Sequence, residues 1–254
     1  MKALITGASS GIGREMAIIL SEMGYDLVLV ARRKRQLEEL KKQLNTDVQI
    51  IPLDVSSTLN CMKLYHEVKS DDIEIVINNA GVGVFGEFTE TDLQKELDMI
   101  DINVKAVHIL TKLFLKDMRK KNGGYILNVS SSAAFSPGPL MASYYASKSY
   151  VLRLTESIYG ELKRDNSHVY IGVLCPGPVN TDFNKVAGIQ FSMQAEDSKE
   201  VAKYAINKMF QRKLVIVPGV IMKFCHVIVR FLPMKLLIKI MYCIQRKKAK
   251  INEK

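Results

Sequence analysis

Tyr144 and Lys148 stand four residues apart in Ser143-Tyr144-Tyr145-Ala146-Ser147-Lys148, and Ser131 lies thirteen residues before the tyrosine. On a helix, residues four apart share a face. A free phenol titrates near ~10, and a neighbouring cation favours the phenolate and lowers that value. A phenol tuned in this way gives a proton to a carbonyl oxygen, or takes one from an alcohol, nearer neutral pH. The expectation is an acid–base pair in which the ammonium draws the tyrosine pKa down. Tyr-x-x-x-Lys also arises by chance as a tyrosine packed beneath a lysine stem, so the reading needs support elsewhere in the chain.

The N-terminus supplies it. Lys2-Ala3-Leu4-Ile5-Thr6 reads as a short buried strand that runs into Gly7-Ala8-Ser9-Ser10-Gly11-Ile12-Gly13. A helical pattern follows, with apolar Ile12, Met16, Ile19, Leu20 and Met23. Strand, glycine-rich turn and helix N-terminus form an anion site, because glycines let the backbone approach a pyrophosphate while free N–H groups and the helix dipole favour its charge. Ser9, Ser10 and Ile12 belong to that turn. The spacing is Gly-x-x-x-Gly-x-Gly rather than Gly-x-Gly-x-x-Gly. A glycine-rich turn alone is often just a tight turn; its place at the first strand–helix junction points to a dinucleotide.

With both pieces in place, the chain resembles the short-chain dehydrogenase/reductase family from Lys2 to about Pro218. The motifs are Thr6-Gly7-x-x-x-Gly11-Ile12-Gly13, Asp54-Val55, Asn78-Asn79-Ala80-Gly81, Asn103, Ser131, Tyr144-x-x-x-Lys148 and Pro176-Gly177-Pro178-Val179-Asn180-Thr181. The resemblance implies hydride transfer between a nicotinamide dinucleotide and a carbonyl/alcohol pair. It makes Tyr144 the proton donor in reduction and the base in oxidation. Lys148 would lower the tyrosine pKa and bind the nicotinamide ribose. Ser131 would hold the substrate oxygen, and Asn103 would position a relay water beside Lys148. Asp54 and the Val55 backbone would meet the adenine. Asn79, Ala80 and Gly81 would line the cofactor cleft, with Pro176 and Gly177 in the turn beyond. Val179 and Thr181 would meet the carboxamide. Tyr145 is not the matching tyrosine, since Ser149 stands four residues on. Among Ser130, Ser131 and Ser132 the family spacing selects Ser131, with Ser130 next.

Strand two ends Val28-Leu29-Val30-Ala31-Arg32-Arg33. An NAD enzyme needs an acid near this point for the ribose hydroxyls; two arginines instead suit a 2′-phosphate. The expectation is NADP(H), with Arg32 the better candidate because it comes first after the strand and Arg33 beside it. Arg14 is either an assistant or a surface residue.

The pattern alternates strand and helix, and the expected fold class is α/β: a Rossmann-like three-layer sandwich around a doubly wound, mostly parallel seven-stranded sheet. Strands are expected near 2–6, 26–31, 48–53, 73–77, 124–129, 169–174 and 214–217. Helices are expected near 11–23, 33–44, 57–69, 91–120, 142–165 and 196–212. The stretch 182–198 has no strong period; the resemblance makes it a mobile lid, and an ordinary loop is equally open. Residues 1–218 form the expected catalytic domain, and 219–254 a basic amphipathic helical tail.

The chain has 254 residues, 48% of them hydrophobic, and a formal charge of +10. Residues 199–254 hold 14 Lys and Arg against 2 acids, whereas the first 198 hold 22 basic and 24 acidic side chains. A nearly neutral body argues against a nucleic-acid protein. In the tail, Lys223, His226 and Arg230 follow helical spacing, and Lys235, Lys239, Tyr242 and Arg246 line one stripe opposite Leu236, Leu237, Ile240, Met241 and Ile244. Neither segment is long enough to span a bilayer. A peripheral membrane anchor, a flap over the substrate cleft and a subunit interface all remain open for it.

Cys61, Cys175, Cys225 and Cys243 show no Cys-x-x-Cys spacing, so reduced and mostly buried thiols in a cytoplasmic protein are expected. His66, His108, His168 and His226 show no ligand spacing, and no metal is expected. The opening Met-Lys-Ala-Leu-Ile-Thr reads as the first strand rather than a signal peptide. The resemblance implies a homodimer or homotetramer. A lipid-like ketone, a 3-oxoacyl chain or a steroid, is the preferred substrate, suggested by the apolar tail and by Phe135, Leu140 and Met141. The rival classes are a non-catalytic NADPH-binding regulator, which would not need the Asn103, Ser131, Tyr144 and Lys148 set, and a nucleotide-sugar epimerase, which the glycine spacing disfavours.

Overall fold

A computed structural model describes residues 1–181, 183 and 195–249. Short Val, Ile and Leu runs form seven parallel strands: β1 Lys2–Thr6, β2 Asp26–Ala31, β3 Val48–Pro52, β4 Ile73–Asn78, β5 Tyr125–Val129, β6 Tyr170–Leu174 and β7 Val215–Ile216. Their order in the sheet is β3-β2-β1-β4-β5-β6-β7. In register, Lys2 pairs with Asp26 and Thr6 with Val30 on one side of β1, while Ile5 pairs with Ile77 on the other. The winding direction reverses between β1 and β4, and such a reversal opens a crevice at the carboxyl ends of the strands.

The helices are α1 Gly11–Glu22, α2 Lys34–Lys41, α3 Thr58–Val68, α4 Leu93–Ile100, α5 Val107–Lys121, α6 Ala142–Arg164, α7 Ser198–Phe210, α8 Val220–Ile228 and α9 Met234–Ala249. Residue alternation sorts the strands' side chains onto two faces. Ala3, Ile5, Leu27 and Leu29 join Met16, Leu20 and Ala205 of α1 and α7 in one buried layer. Leu4, Val28, Val30 and Ile126 join Leu64, Leu110 and Leu162 of α3, α5 and α6 in the other. Both faces are covered, which is why the strands read as continuous apolar runs.

The helix expected over 91–120 is three pieces in series. Asp92 caps α4 by accepting from the Lys95 amide, and Asp101–Ala106 winds as a π-helix before α5 begins. Hydrophobic periodicity does not distinguish this widening from an α-helix, because it shifts the phase by a single residue. The strand expected at 214–217 is shortened to two residues. Cys61 and Cys175 are buried as expected, but Cys225 and Cys243 are exposed on the tail.

A buried polar chain ties β4 and β5 to α5 and α6. Asn78 Nδ2 donates to Asn128 Oδ1 at 2.8 Å and to Thr111 Oγ1 at 3.1 Å. Thr111 Oγ1 donates to Asn128 Oδ1 at 3.1 Å, and Asn128 Nδ2 donates to Thr155 Oγ1 at 2.9 Å. Polar groups sealed from water cost heavily once a partner is removed. Asn128→Ala is therefore expected to lower the unfolding free energy by about 2–4 kcal/mol in urea denaturation; a loss below about 0.5 kcal/mol would show that the chain of amides carries little.

Candidate active site

The crevice at the β1/β4 reversal is sewn shut at its floor. Thr6 Oγ1 accepts from the amides of Asn79 and Ala80, each at 3.1 Å. Asn79 Nδ2 returns hydrogen bonds to the carbonyls of Thr6 at 3.0 Å and Gly7 at 3.2 Å. Asn79 thus lines the cleft, but its amide is spent on the turn. Gly7 has φ +68°, and a Cβ there would lie 2.8 Å from the Ala80 Cα. A Cβ on Gly13 would sit 2.6 Å from the Gly7 carbonyl oxygen. Ser10, at the N-cap of α1, makes no side-chain bond to the helix's first amides, which leaves the turn suited to a phosphate. The cradle fits a dinucleotide and leaves no room for side chains at Gly7 and Gly13.

A cavity of about 440 Å³ runs from this turn toward α6. It is lined by Gly7, Ser9, Ser10, Gly11 and Ile12 of the turn, and by Tyr144, Lys148, Pro176, Gly177, Val179 and Thr181. Arg32, Arg33, Asp54, Val55, Ala80 and Gly81 also border it. Gly13 sits behind the wall. The two arginines do different things. Arg33 donates through Nη2 to Ser9 Oγ at 3.0 Å and Ser10 Oγ at 2.6 Å, and through Nε to Ser9 Oγ at 3.2 Å. Arg32 instead lies 3.7 Å from Asp54 in an exposed ion pair. Order after the strand favoured Arg32, yet the residue latched to the phosphate turn is Arg33.

Tyr144 and Lys148 share one face of α6 and are both buried. Lys148 Nζ lies 5.9 Å from the Tyr144 ring centroid and donates to the Val129 carbonyl at 3.1 Å. Ser131 hydrogen-bonds the Tyr144 hydroxyl. Ser130 Oγ is turned away, donating to the Lys148 carbonyl at 2.7 Å, so Ser131 is the serine that faces the tyrosine. Asn103, fully buried in the π-helical stretch, clamps Val82 through both backbone atoms (3.0 and 2.9 Å) and donates to Ser147 Oγ at 3.1 Å. A Cβ on Gly81 would stand 3.1 Å from both Asn103 Oδ1 and Lys148 Nζ, so glycine lets these two groups meet the β4 turn.

The electrostatics correct one expectation. Burial pushes Tyr144 up to about 12, with the Ser131 hydrogen bond acting the other way. Burial also brings Lys148 down to about 8. Desolvation of each group therefore dominates, rather than a net downward pull of the ammonium on the phenol. The resulting state at neutral pH, a protonated phenol in front of a lysine ammonium, is the proton-donating form.

Beyond β6, the Ser132 amide bonds the Pro176 carbonyl at 2.8 Å. Val179 forms a parallel bridge with Glu196, supported by Glu196 N to Pro178 O at 2.9 Å and Asn180 N to Glu196 O at 3.0 Å. A Cβ on Gly11 would meet Thr181 Cγ2 at 2.8 Å, so the threonine is seated on the phosphate turn. Of the expected lid at 182–198, residues 182 and 184–194 lie outside the described residues. Phe183 stands 5.5 Å from the Tyr144 ring, centroid to centroid.

The tail contributes residues that motif reading missed. Met241 of α9 packs with Met99, Met141, Tyr144 and Tyr145, and the buried Gln245 amide donates to the Tyr145 hydroxyl. Met222 of α8 sits against Gly177. The signal lay in the spacing of Leu237, Met241 and Gln245, four residues apart on one helix face. His226, which shares helical spacing with Lys223 and Arg230, turns inward, 3.9 Å from Phe135 between ring centroids. Among the described residues there is no group of three His, Cys, Asp or Glu placed to hold a metal.

Comparison with known proteins agrees with this geometry. The family model for short chain dehydrogenase matches residues 1–191. An 11-beta-hydroxysteroid dehydrogenase-like 3 from Arabidopsis thaliana is 38% identical over 188 residues, 70% of this chain and 59% of that protein. A very-long-chain 3-oxoacyl-CoA reductase from Pyrenophora tritici-repentis is 32% identical over 194 residues, 72% of this chain and 56% of that protein. A short-chain dehydrogenase from Sphingobium yanoikuyae, solved in complex with NADPH, is 29% identical with a TM-score of 0.80, covering 86% of this chain and 88% of that one.

Two outcomes are expected. Gly13→Ala should lose at least about tenfold in dinucleotide affinity, read by the fluorescence of the reduced cofactor, because the new methyl meets backbone that has nowhere to move. Reductive kcat/KM should hold level to about pH 8 and fall above it, since Lys148 loses its proton as pH rises through about 8, well before Tyr144 at about 12. A profile level to about pH 10 would detach the rate from the lysine charge.

Proposed function

The chain belongs to the short-chain dehydrogenase family, and on that premise we propose that this oxidoreductase reversibly transfers a hydride between NADP(H) and a lipid-like ketone or secondary alcohol. The observation that carries the reading is Tyr144 buried at the cleft, with Ser131 beside its hydroxyl and Lys148 Nζ 5.9 Å from its ring centroid. In the reduction, Ser131 holds the substrate oxygen and Tyr144 gives it a proton. The charge of Lys148 stabilises the phenolate that remains. Asn103 holds the Val82 loop and α6 at fixed spacing and keeps a relay water beside Lys148. The nicotinamide dinucleotide supplies or accepts the hydride.

Preference for NADP(H) rests on Arg33, whose guanidinium is already latched to Ser9 and Ser10, with Arg32 at its flank. The NADPH in the Sphingobium enzyme's structure supports the same choice. A bulky apolar substrate suits the stretch of cavity wall formed by Val82, Ala133, Met141 and Phe183 beside Tyr144. A 3-oxoacyl chain or a steroid fits it, and the names of the two curated relatives point the same way. Residues 1–218 form the catalytic domain and 219–254 an appended helical tail. Exposed Leu93, Leu97, Ile100 and Tyr150 on α4 and α6 suit a homodimer or homotetramer.

The test follows NADPH and NADH oxidation against acyl thioester, steroid and small carbonyl substrates. Tyr144→Phe should lower kcat by about 10²–10⁴-fold while sparing NADPH binding. Arg33→Ala should weaken NADPH by about tenfold or more and leave NADH nearly unchanged. Turnover that survives Tyr144→Phe, or equal losses for both cofactors with Arg33→Ala, would sink the corresponding assignment.

A further inference from the structure

The tail touches the body along two narrow stripes. In α8, Met222 and His226, four residues apart, are half-buried and meet Gly177 and Phe135. In α9 the inward stripe is Leu237, Met241 and Gln245. Everything else large and apolar on these helices faces away from the protein. Ile221, Phe224 and Phe231 are 68%, 69% and 82% exposed, and Val220, Met234 and Leu236 are exposed beside them. Contiguous apolar surface of this kind on a folded protein marks an interaction site.

The charge says what kind of partner covers it. Residues 220–249 contain seven Lys and Arg and no acid. Lys223, Arg230, Lys235, Lys239 and Arg246 alternate with the outward apolar groups. Among the described residues none of these five forms an ion pair with a carboxylate; Lys223 lies 5.0 Å above the Tyr204 ring, and Arg230 bonds His226 at 3.1 Å. A second copy of the chain docked on this face across a two-fold axis would bring the same cations together. A protein interface also keeps charge out of its core. An anionic lipid surface satisfies both features, since apolar groups enter the acyl boundary and long cationic side chains reach the head groups. Among the described residues no helix is long and apolar enough to cross the bilayer, so the contact made by these two helices is interfacial.

We propose that α8 and α9 form a docking surface for an anionic lipid bilayer, laid over the substrate end of the cleft. Met241 of the inward stripe packs on the cluster that contains Tyr144 and Tyr145, and Gln245 bonds the Tyr145 hydroxyl, so the helix that meets lipid is seated on the layer that holds the reactive tyrosine. Docking brings the cleft close to the membrane, where an apolar substrate is concentrated. The surface itself goes beyond the proposed reaction and does not depend on which ketone is reduced.

The full chain is mixed with vesicles of phosphatidylcholine alone, or of phosphatidylcholine with phosphatidylglycerol, and bound protein is measured by flotation. Binding should favour the anionic vesicles by about tenfold or more and weaken as salt rises from about 0.1 to 0.5 M. The double variant Phe224→Glu/Phe231→Glu should lose at least about tenfold of that binding. Lys235→Glu/Lys239→Glu should erase the preference for anionic lipid. Both variants should bind NADPH as the unaltered chain does, which shows that they are folded and keeps this test separate from the catalytic one. The proposal fails if the unaltered chain ignores both vesicle types, or if the variants bind as well as it does. It also fails if light scattering finds a dimer that Phe224→Glu/Phe231→Glu dissociates, because a second copy then covers the face.

Discussion

Thr6 and Asn79 hold the ends of β1 and β4 together, and the cleft depends on that clasp. One hydroxyl receives two amides, and one side-chain amide satisfies two carbonyls. These backbone groups lie at the carboxyl ends of buried strands, where polar groups of the main chain need partners beyond the sheet ladder. The clasp also explains the glycines. With Asn79 and Ala80 pressed against the turn, Cβ atoms at Gly7 and Gly13 have nowhere to go. Dinucleotide recognition is thus a consequence of how two strand ends are closed, and it comes before any contact with the cofactor.

The same economy governs the reactive pair. Tyr144 and Lys148 are carried into the interior on a helix anchored by Thr155 to the Asn78–Thr111–Asn128 chain. Burial acts on them in opposite senses, raising the phenol and lowering the amine. Desolvation opposes the charged form of each, so the phenol stays protonated while the lysine comes down to about 8 and still carries its charge at neutral pH. A phenol of this kind is a poor base by itself. It becomes a useful acid where hydrogen bonds and a nearby cation stabilise the phenolate as the proton leaves, which is the arrangement formed by Ser131 and Lys148.

Much of this was legible from sequence, and the reasons are physical. Val28 and Leu29 alternate between layers because a strand has period two. Gly7, Gly11 and Gly13 announce a turn because side chains are excluded there. The order of motifs pointed to Tyr144, Lys148 and Ser131, which line one cavity, and to Asn103, which is fully buried outside its lining. What escaped depends on three-dimensional competition. Position after the strand favours Arg32, and only the path of the chain sends Arg33 to Ser9 and Ser10. Asn103 sits in a π-helical stretch that periodicity reads as plain helix. His226 shares a helical stripe with Lys223 and Arg230, yet its ring packs at a tilt against Phe135. Gln245, a hundred residues from Tyr145, carries no local signal beyond its spacing from Met241.

The tail's mode of attachment has its own logic. Most helices on a sheet bury a broad apolar face, whereas α8 and α9 give the body one row of side chains each. Gln245 is wholly buried with its Oε1 unpaired, while its amide nitrogen serves Tyr145. An unpaired buried oxygen costs about 1–3 kcal/mol, which offsets part of what Leu237 and Met241 contribute on the same stripe. The seat is therefore specific in register but shallow in energy. A segment attached in this way opens at less cost than the sheet it covers. Its inner row meets the cluster that contains Tyr144 and Tyr145, so the attachment of the tail and the seat of the reactive tyrosine share one apolar layer.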